Sequence, residues 1–438
     1  MEMKRLIEKE LQAWKDSPRR KPLIIRGARQ VGKTWLVENR LANQFDNFVK
    51  VDLERQHQLH AAFGDNLDPL RIVEAMEPLA GRIIPGKTLL FIDEIQACPR
   101  AITALRYFYE EMPELHVVAA GSMLEFAFGE ISVPVGRVQY LFVHPMTFYE
   151  YLLAIGKEVM AEKLLTPPQE HSELVCRAIL DELKHYFFIG GMPEAVKAYR
   201  DTHSKLESSN VQSQILDSYR EDFSKYKPHV NESCLDEVFT SAAKSVGDQI
   251  KYTRLYEGAS GVTNRKAFDL LVKARVLHKI SSCDPSGLPL GGSRGKNFKA
   301  CMLDIGLLQR LCGLDIPTEL AQENLLAMYR GKLAEQFVAQ EMLAWHSRDL
   351  YYWARNVRNS NAEVDCLAIQ SGKIYPIEIK SGPAGKLRSL HLMLETYPNC
   401  PQGWVLQDGP YRQLLEQKLV FWPLYATPQL GDRSQLPL

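Results

Sequence analysis

The sequence has no run approaching the ~18 consecutive apolar residues of a membrane-crossing helix, which argues against a spanning segment. It has no Cys-x-x-Cys pair. Its 8 cysteines are scattered, so neither a zinc-ligand spacing nor a disulfide framework is suggested. It has no charge excess, with Lys+Arg and Asp+Glu equal at 53 each. The chain as a whole is therefore no polycation, and any nucleic-acid surface must be local. The opening Met1-Glu-Met-Lys-Arg-Leu-Ile-Glu8 is charged and unlike a secretory signal, so a cytoplasmic location with no membrane partner is the expectation. What is present is ordinary. Hydrophobic residues make up 45% and charged residues 24%, as in soluble globular proteins. The 438 residues leave room for about three domains, each large enough to bury a core.

Against that plain background one stretch stands out: Leu23-Ile-Ile-Arg-Gly27-Ala28-Arg29-Gln30-Val31-Gly32-Lys33-Thr34. A short apolar strand, a glycine-bounded loop and a helix opening at Trp35-Leu36-Val37 make up the P-loop pattern. Glycines at both ends let the loop curl until its N–H groups converge on phosphate at the positive end of a helix. ATP is the expected ligand, with residues 27–35 around it. Lys33 is expected to reach the β- and γ-phosphates, and the Thr34 hydroxyl to hold Mg²⁺.

A second motif answers the first. Lys87-Thr-Leu-Leu-Phe-Ile-Asp93-Glu94 reads as a fully buried parallel strand whose carboxyl end carries two acids. Asp93 is expected in the Mg²⁺ shell, and Glu94 as general base for the attacking water. A third strand, His116-Val-Val-Ala-Ala-Gly-Ser122, ends on a small polar residue. Ser122 suits a γ-phosphate sensor and equally a helix N-cap. Arg137, leading the strand that follows, suits an arginine finger acting in its own chain or a neighbour's, and equally an ordinary salt bridge. A homo-oligomer is one expectation that follows.

These stretches resemble the AAA-type core of a widespread prokaryotic ATPase family whose members add a C-terminal domain of unknown function. The resemblance rests on Gly27–Thr34, Leu89–Glu94 and Gly121-Ser122. It extends to His144-Pro-Met-Thr-Phe-Tyr-Glu-Tyr151 and Phe187-Phe-Ile-Gly-Gly-Met-Pro-Glu-Ala195, and it covers nearly the whole chain.

Residues 2–15 read as an amphipathic helix. Residues 147–226 are helical in pattern, broken at Thr166-Pro167-Pro168 and at Gly190-Gly191-Met192-Pro193. They suit a lid over the nucleotide, or a plain connector. From Lys244 to Arg310 there are twelve Lys/Arg against five Asp/Glu, so the positive charge is concentrated here. Lys251-Tyr-Thr-Arg-Leu-Tyr-Glu-Gly and Gly261–Leu277 read as helix, turn, helix, with Thr263 as N-cap and Phe268, Leu271, Val272 and Val276 as the buried stripe. Arg265 and Lys266 then project near the start of the second helix, the part that enters a major groove in helix-turn-helix proteins. Strands at Val276–Ile280 and Phe298–Leu303 around a loop from Asp284 to Gly295 complete a winged helix. DNA is its expected partner, with an inter-domain adaptor the other use.

At the C-terminal end, Asn361-Ala-Glu-Val-Asp365-Cys-Leu-Ala-Ile369 and Ile374-Tyr-Pro-Ile-Glu378-Ile-Lys380 read as a hairpin turning at Ser371-Gly372. That register sets Asp365 opposite Glu378, with Lys380 on the same face. Glu335 stands on the interior stripe of the preceding helix with Val338, Met342 and Trp345, and a buried acid there needs a cation. Glu335, Asp365, Glu378 and Lys380 resemble the PD-(D/E)xK nuclease core, although Pro376 departs from its pattern. The resemblance implies Mg²⁺ held by Asp365 and Glu378, a lysine orienting the nucleophile, and phosphodiester cleavage. The competing reading is an internal salt-bridge cluster that does not cleave. Segments after Gly382 read as a helix and edge strands.

The expected fold class is α/β and multidomain: a P-loop AAA-like parallel sheet core at 1–150 and a helical lid at 151–226. A winged helix at 227–318 and a restriction-nuclease-like α/β domain at 319–438 complete it. The expected function is an ATPase whose nucleotide state controls nucleic-acid binding and Mg²⁺-dependent cleavage. The alternative is an ATP-driven switch with a silent nuclease-like domain.

Overall fold

A computed structural model describes residues 3–64, 66–121, 124, 136–224, 230–291, 297–313, 326–346, 349–357, 360–380 and 387–430. Among these residues the strands form three sheets, and the chain divides into two compact units, Arg5–His144 and Met1–Lys4 with Pro145–Leu438.

In the first unit, β1 (Leu23–Arg26), β2 (Asn47–Asp52), β3 (Thr88–Asp93), β4 (His116–Ala120) and β5 (Gln139–Phe142) make one sheet in the order β2-β3-β4-β1-β5. Every neighbouring pair is parallel. Strands β3 and β4 are buried along their whole length, which is why both read as unbroken apolar runs. Helix α1 (Glu8–Asp16), a helical run opened by α2 (Lys33–Leu36), α3 (Pro69–Ala80) and α4 (Pro99–Glu111) accompany the sheet. Helix α1 is shorter than the expected 2–15: it starts after Ile7, which has no side-chain cap. Strands β4 and β5 also stop short of the apolar runs that announced them.

In the second unit the chain is helical through α5 (Phe148–Ala154), α6 (Glu158–Leu165), α7 (Glu173–Ile189), α8 (Pro193–Thr202) and α9 (Lys205–Phe223), with the two breaks expected from the sequence and two more, at 155–157 and 203–204. Then come α10 (Glu232–Lys244), α11 (Gly261–Lys273) and the antiparallel pair β6 (Leu277–Ser282) and β7 (Phe298–Met302). Helix α11 starts earlier than expected. Ser260, not Thr263, is its N-cap, its side chain accepting the Thr263 N–H. The helix ends at Lys273, leaving Val276 buried but beyond it and Val272 only half-buried, while Asn264 and Ala267 take inward positions.

After α12 (Ile305–Leu311) and α13 (Leu326–His346) the strands are β8 (Tyr351–Val357), β9 (Ser360–Val364), β10 (Cys366–Gln370) and β11 (Lys373–Lys380). They are followed by α14 (Arg388–Thr396), β12 (Gly403–Gln407), β13 (Arg412–Leu414) and β14 (Leu419–Pro423). One sheet runs β7-β6-β8-β9 and the other β10-β11-β12-β14-β13. The first joins strands from either side of position 318/319, so the basic segment and the C-terminal segment share a sheet. The second places β12 at its centre, not at the edge expected for Gly403–Leu406. The chain crosses between the two sheets at Asp365, which splits the single strand expected over 361–369. Among the described residues no helix is long and apolar enough to cross a membrane.

Candidate nucleotide site and a carboxylate–lysine cluster

The loop after β1 can be made only with glycine at its first turn. Gly27 has φ +147°, and a Cβ there would lie 2.3 Å from the Val143 carbonyl oxygen. Gln30 and Gly32 are also left-handed, at φ 63° and 92°. The helical run that follows has α geometry at Lys33–Leu36, widens to a π turn at Val37–Leu41 and tightens at Ala42–Gln44. Lys33 Nζ donates to the carbonyls of Gly27 (3.0 Å) and Ala28 (2.7 Å). Its ammonium therefore already stands inside the loop. From outside the motif, Arg5 donates to the carbonyls of Val31 (3.0 Å) and His144 (2.7 Å) and so braces the loop. Trp35, half-buried, sits near the Arg40 guanidinium.

Strands β1 and β3 are separated by β4, and their carboxyl ends bring the two motifs together. The Thr34 hydroxyl donates to Asp93 Oδ2 at 3.2 Å. Hard oxygen donors at a helix start fit Mg²⁺, which keeps water and phosphate oxygens in the rest of its shell. Among the described residues no group of three or more His, Cys, Asp or Glu side chains converges on a metal position. A Mg²⁺ here would thus depend on nucleotide oxygens, as P-loop sites do. Sequence reading missed Lys50 on β2, whose ammonium bridges Asp93 (3.1 Å) and Glu38 (2.8 Å). Burial raises the Asp93 carboxyl above its ordinary range, against the pull of Lys50 and Thr34. Lys50 is raised too: burial lowers it, and the hydrogen bonds and charges of its two acids outweigh that.

Glu94 sits in a left-handed backbone conformation, φ 48°, unusual for a residue with a side chain. Gln96 Nε2 donates to Glu94 Oε2 at 2.5 Å. A Cβ on Gly121, at the end of β4, would lie 2.0 Å from Gln96 Oε1. Gly121 is thus the space that Gln96 occupies while it holds Glu94. Ser122 lies outside the described residues.

Arg137 is placed elsewhere. Parallel pairing sets Leu23 beside Gln139, so Arg137 precedes the start of β5 while the P-loop follows the end of β1. Six residues of strand at about 3.3 Å each separate the two levels by roughly 20 Å, well beyond an arginine's length. Arg137 instead pairs with Glu110 at 2.7 Å. Arg137 therefore does not reach the P-loop of its own chain, and the salt-bridge reading describes its place here.

The C-terminal residues do meet. The Ser371-Gly372 turn has both φ values positive, at 50° and 73°, as a two-residue hairpin turn requires. The register runs from Gln370 opposite Lys373 to Cys366 opposite Ile377. Asp365 stands one residue beyond the ladder, where its Oδ2 accepts the Ile379 N–H at 2.9 Å. Lys380 donates to Glu378 Oε1 at 2.6 Å. At the centre is a residue that sequence reading did not assign. Lys299 on β7, its side chain 2% exposed, lies 3.1 Å from Glu335, 2.5 Å from Glu363 and 3.3 Å from Asp365. Glu335 is therefore a partnered acid, as expected, but its cation comes from another element. Burial and the Asp365 charge raise Glu335 and Glu378 well above the usual carboxylate range, against the pull of the lysines. The Lys299 ammonium is held charged: burial opposes it, and Asp365, Glu335 and Glu363 outweigh that. The only signal for Lys299 was a charged residue inside an apolar strand pattern, Phe298-Lys-Ala-Cys-Met302.

Residues 19–152 match the family described as "AAA domain". Residues 180–318 and 330–427 match two further families, each described only as a domain of unknown function (DUF8612 and DUF4143). No curated protein matches the chain. Solved structures with some similarity include the Walker-type ATPase PABY2304 of Pyrococcus abyssi. It is 13% identical, with 70% of this chain and 95% of that one covered, at a TM-score of 0.44. Drosophila ORC bound to DNA is 13% identical, with 71% and 95% covered, at 0.27. PCH-2 of C. elegans is 12% identical, with 48% and 67% covered, at 0.26. Similarity this low is not a ground for shared activity. The glycine-bounded loop, the meeting of Thr34 with Asp93, the five-stranded parallel sheet and the family match agree: the first unit is an AAA-type P-loop ATPase domain.

Proposed function

We propose that this protein binds and hydrolyses ATP, and that its nucleotide state controls binding of nucleic acid. The observation that carries the first half is the convergence of Lys33, Thr34, Asp93 and Glu94 at the carboxyl ends of β1 and β3. In the mechanism, loop N–H groups and Lys33 take the phosphates, which replace the Gly27 and Ala28 carbonyls as the ammonium's partners. Thr34 and Asp93 would hold Mg²⁺, which, when bound, neutralises charge on the β- and γ-phosphate oxygens. Glu94, held by Gln96, takes a proton from the attacking water. The helical segment 151–226 is proposed to respond to the nucleotide.

Support for a nucleic-acid surface is the exposure of Lys244, Lys251, Arg254, Arg265, Lys266 and Lys279 on and around α10, α11 and β6. A helix pair followed by an antiparallel strand pair suits a winged helix, with Arg265 and Lys266 in the leading half of its second helix. Cleavage by Glu335, Asp365, Glu378 and Lys380 is less favoured than the silent alternative, because the Lys299 ammonium already stands between Glu335 and Asp365.

The test is duplex DNA binding measured with ATP, with ADP and without nucleotide, at two salt concentrations. The proposal expects affinity to differ between nucleotide states by fivefold or more, to fall with salt, and to drop in Arg265→Ala/Lys266→Ala. Binding that is identical in all three states, or absent, contradicts it.

A further inference from the structure

The cluster around Lys299 has the acids of a metal-dependent phosphodiesterase but not the vacancy. Asp365 uses Oδ2 for the Ile379 N–H and Oδ1 for Lys299. Glu363 uses Oε1 for Lys299 and Oε2 for the Gln249 side-chain amide at 2.6 Å. Glu335 gives Oε2 to Lys299, and Glu378 gives Oε1 to Lys380. Among the described residues no set of three such acids converges on a metal position. A divalent ion placed between Glu335 and Asp365 would stand against the Lys299 ammonium, and like charge this close is strongly repulsive in a buried setting. Glu335, Glu363 and Asp365 therefore do not fit Mg²⁺ while Lys299 is in place.

We infer that Lys299 is a built-in cation that takes the place of a divalent metal among Glu335, Glu363 and Asp365. Three features carry this. The ammonium is buried, so it is not a surface lysine that happened to fall near acids. It is shared by three carboxylates from α13, β9 and the β9–β10 bend, the way a metal is shared by ligands. It also arrives from β7, a strand in the sheet ahead of the hairpin that bears Glu378 and Lys380. A single positive charge thus ties β7, α13 and the point where the chain leaves one sheet for the other. One atom is left unfilled: Glu378 Oε2 is buried without a hydrogen-bond partner among the described residues, while Lys380 serves its Oε1. The inference is independent of ATP and of nucleic-acid binding.

The test is Mn²⁺ binding followed by electron paramagnetic resonance on the full chain without nucleotide. The proteins compared are the wild type, Asp365→Asn/Glu378→Gln, Lys299→Met, Lys299→Met/Asp365→Asn and Lys299→Arg. The expected result is the same Mn²⁺ stoichiometry in the wild type and in Asp365→Asn/Glu378→Gln. Lys299→Met should gain one Mn²⁺ per chain, and Lys299→Met/Asp365→Asn should lose it again. Lys299→Arg, which keeps the charge, should gain none. A wild-type Mn²⁺ that disappears in Asp365→Asn/Glu378→Gln overturns the inference, and so does a folded Lys299→Met that gains no ion. Should Lys299→Met fail to fold by circular dichroism, the wild-type comparison decides alone.

Discussion

In the proposed mechanism Glu94 is the general base, and Gln96 holds its carboxylate across the space left by Gly121. Gln96→Ala is therefore expected to lower kcat about tenfold while leaving ATP affinity within twofold, read from steady-state turnover beside equilibrium nucleotide binding. A merely structural role would change both or neither. Lys50 predicts a second separation. Its ammonium is the charge that opposes burial at Asp93, so Lys50→Met should raise the pH at which Asp93 ionises. The acidic limb of the ATPase pH profile should move to higher pH, with the plateau retained. The P-loop and the Asp-Glu strand end were legible in sequence because each is contiguous and its chemistry follows from local spacing. Lys50, Gln96 and Arg5 were not. Parallel pairing across crossovers brings Lys50 beside Asp93, and Arg5 reaches Val31 from an otherwise featureless N-terminal segment. Lys299 escaped for the same reason, since its partners lie 36 to 66 residues away.

Elements explain the glycines of the resemblance that carry no chemistry. Gly190 is left-handed at φ 68°, and a Cβ on it would lie 2.2 Å from Asp304 Oδ1. A Cβ on Gly191 would lie 2.0 Å from the Met146 carbonyl oxygen. Asp304, fully buried, accepts the Gly191 N–H at 2.6 Å and the Leu307 N–H at 3.0 Å, so it caps α12 and secures the α7–α8 junction together. Gly191→Ala is expected to lower stability by about 2–4 kcal/mol through this backbone clash, measured by urea denaturation, with the ATP affinity of the first unit unchanged. The two breaks read in 147–226 bracket α7 and mark the start of α8, and the stripe of α11 was legible because an amphipathic stripe is a property of one segment. Helix periodicity misplaced the cap of α11 by one turn, since Ser260 and Thr263 are both good caps and only the Ser260 contact decides. Strand division at Asp365 was illegible. A run of alternating residues does not reveal that its two halves pair in different sheets.

At the scale of the molecule, the C-terminal sheet system extends back to β6 and β7, so the basic segment and the carboxylate cluster belong to one compact unit. Stability of that unit carries a pH signature. Glu341 on α13 is buried among the Phe148 N–H and the Trp345 indole, each at 2.9 Å, and burial pushes its carboxyl up to about 8. A folded-state value above the unfolded one means that the folded chain holds the proton more tightly. Its stabilising contribution is lost as pH rises towards and through 8. The histidines of this unit that burial shifts, His171 and His185, are moved downward, so they add no slope above pH 7. The unfolding free energy of the unit, from urea titrations, should fall as pH rises from about 5 to 8, Glu341 contributing about 1.4 kcal/mol per pH unit at most, and Asp304, Glu335 and Glu378, also raised by burial, add slope of the same sign. Glu341→Gln should make that slope shallower.

The proposed mechanism has Glu94 acting on water while Lys33, Thr34 and the loop bind nucleotide, two roles that one substitution separates. The measurement is ATP binding and ATP hydrolysis, side by side, in the wild type and in Glu94→Gln. The proposal predicts turnover by the wild type, and in the variant an ATP affinity within about threefold of it with turnover reduced by about a hundredfold or more. Equal turnover in the two proteins, or no ATP binding by the wild type, would contradict the account.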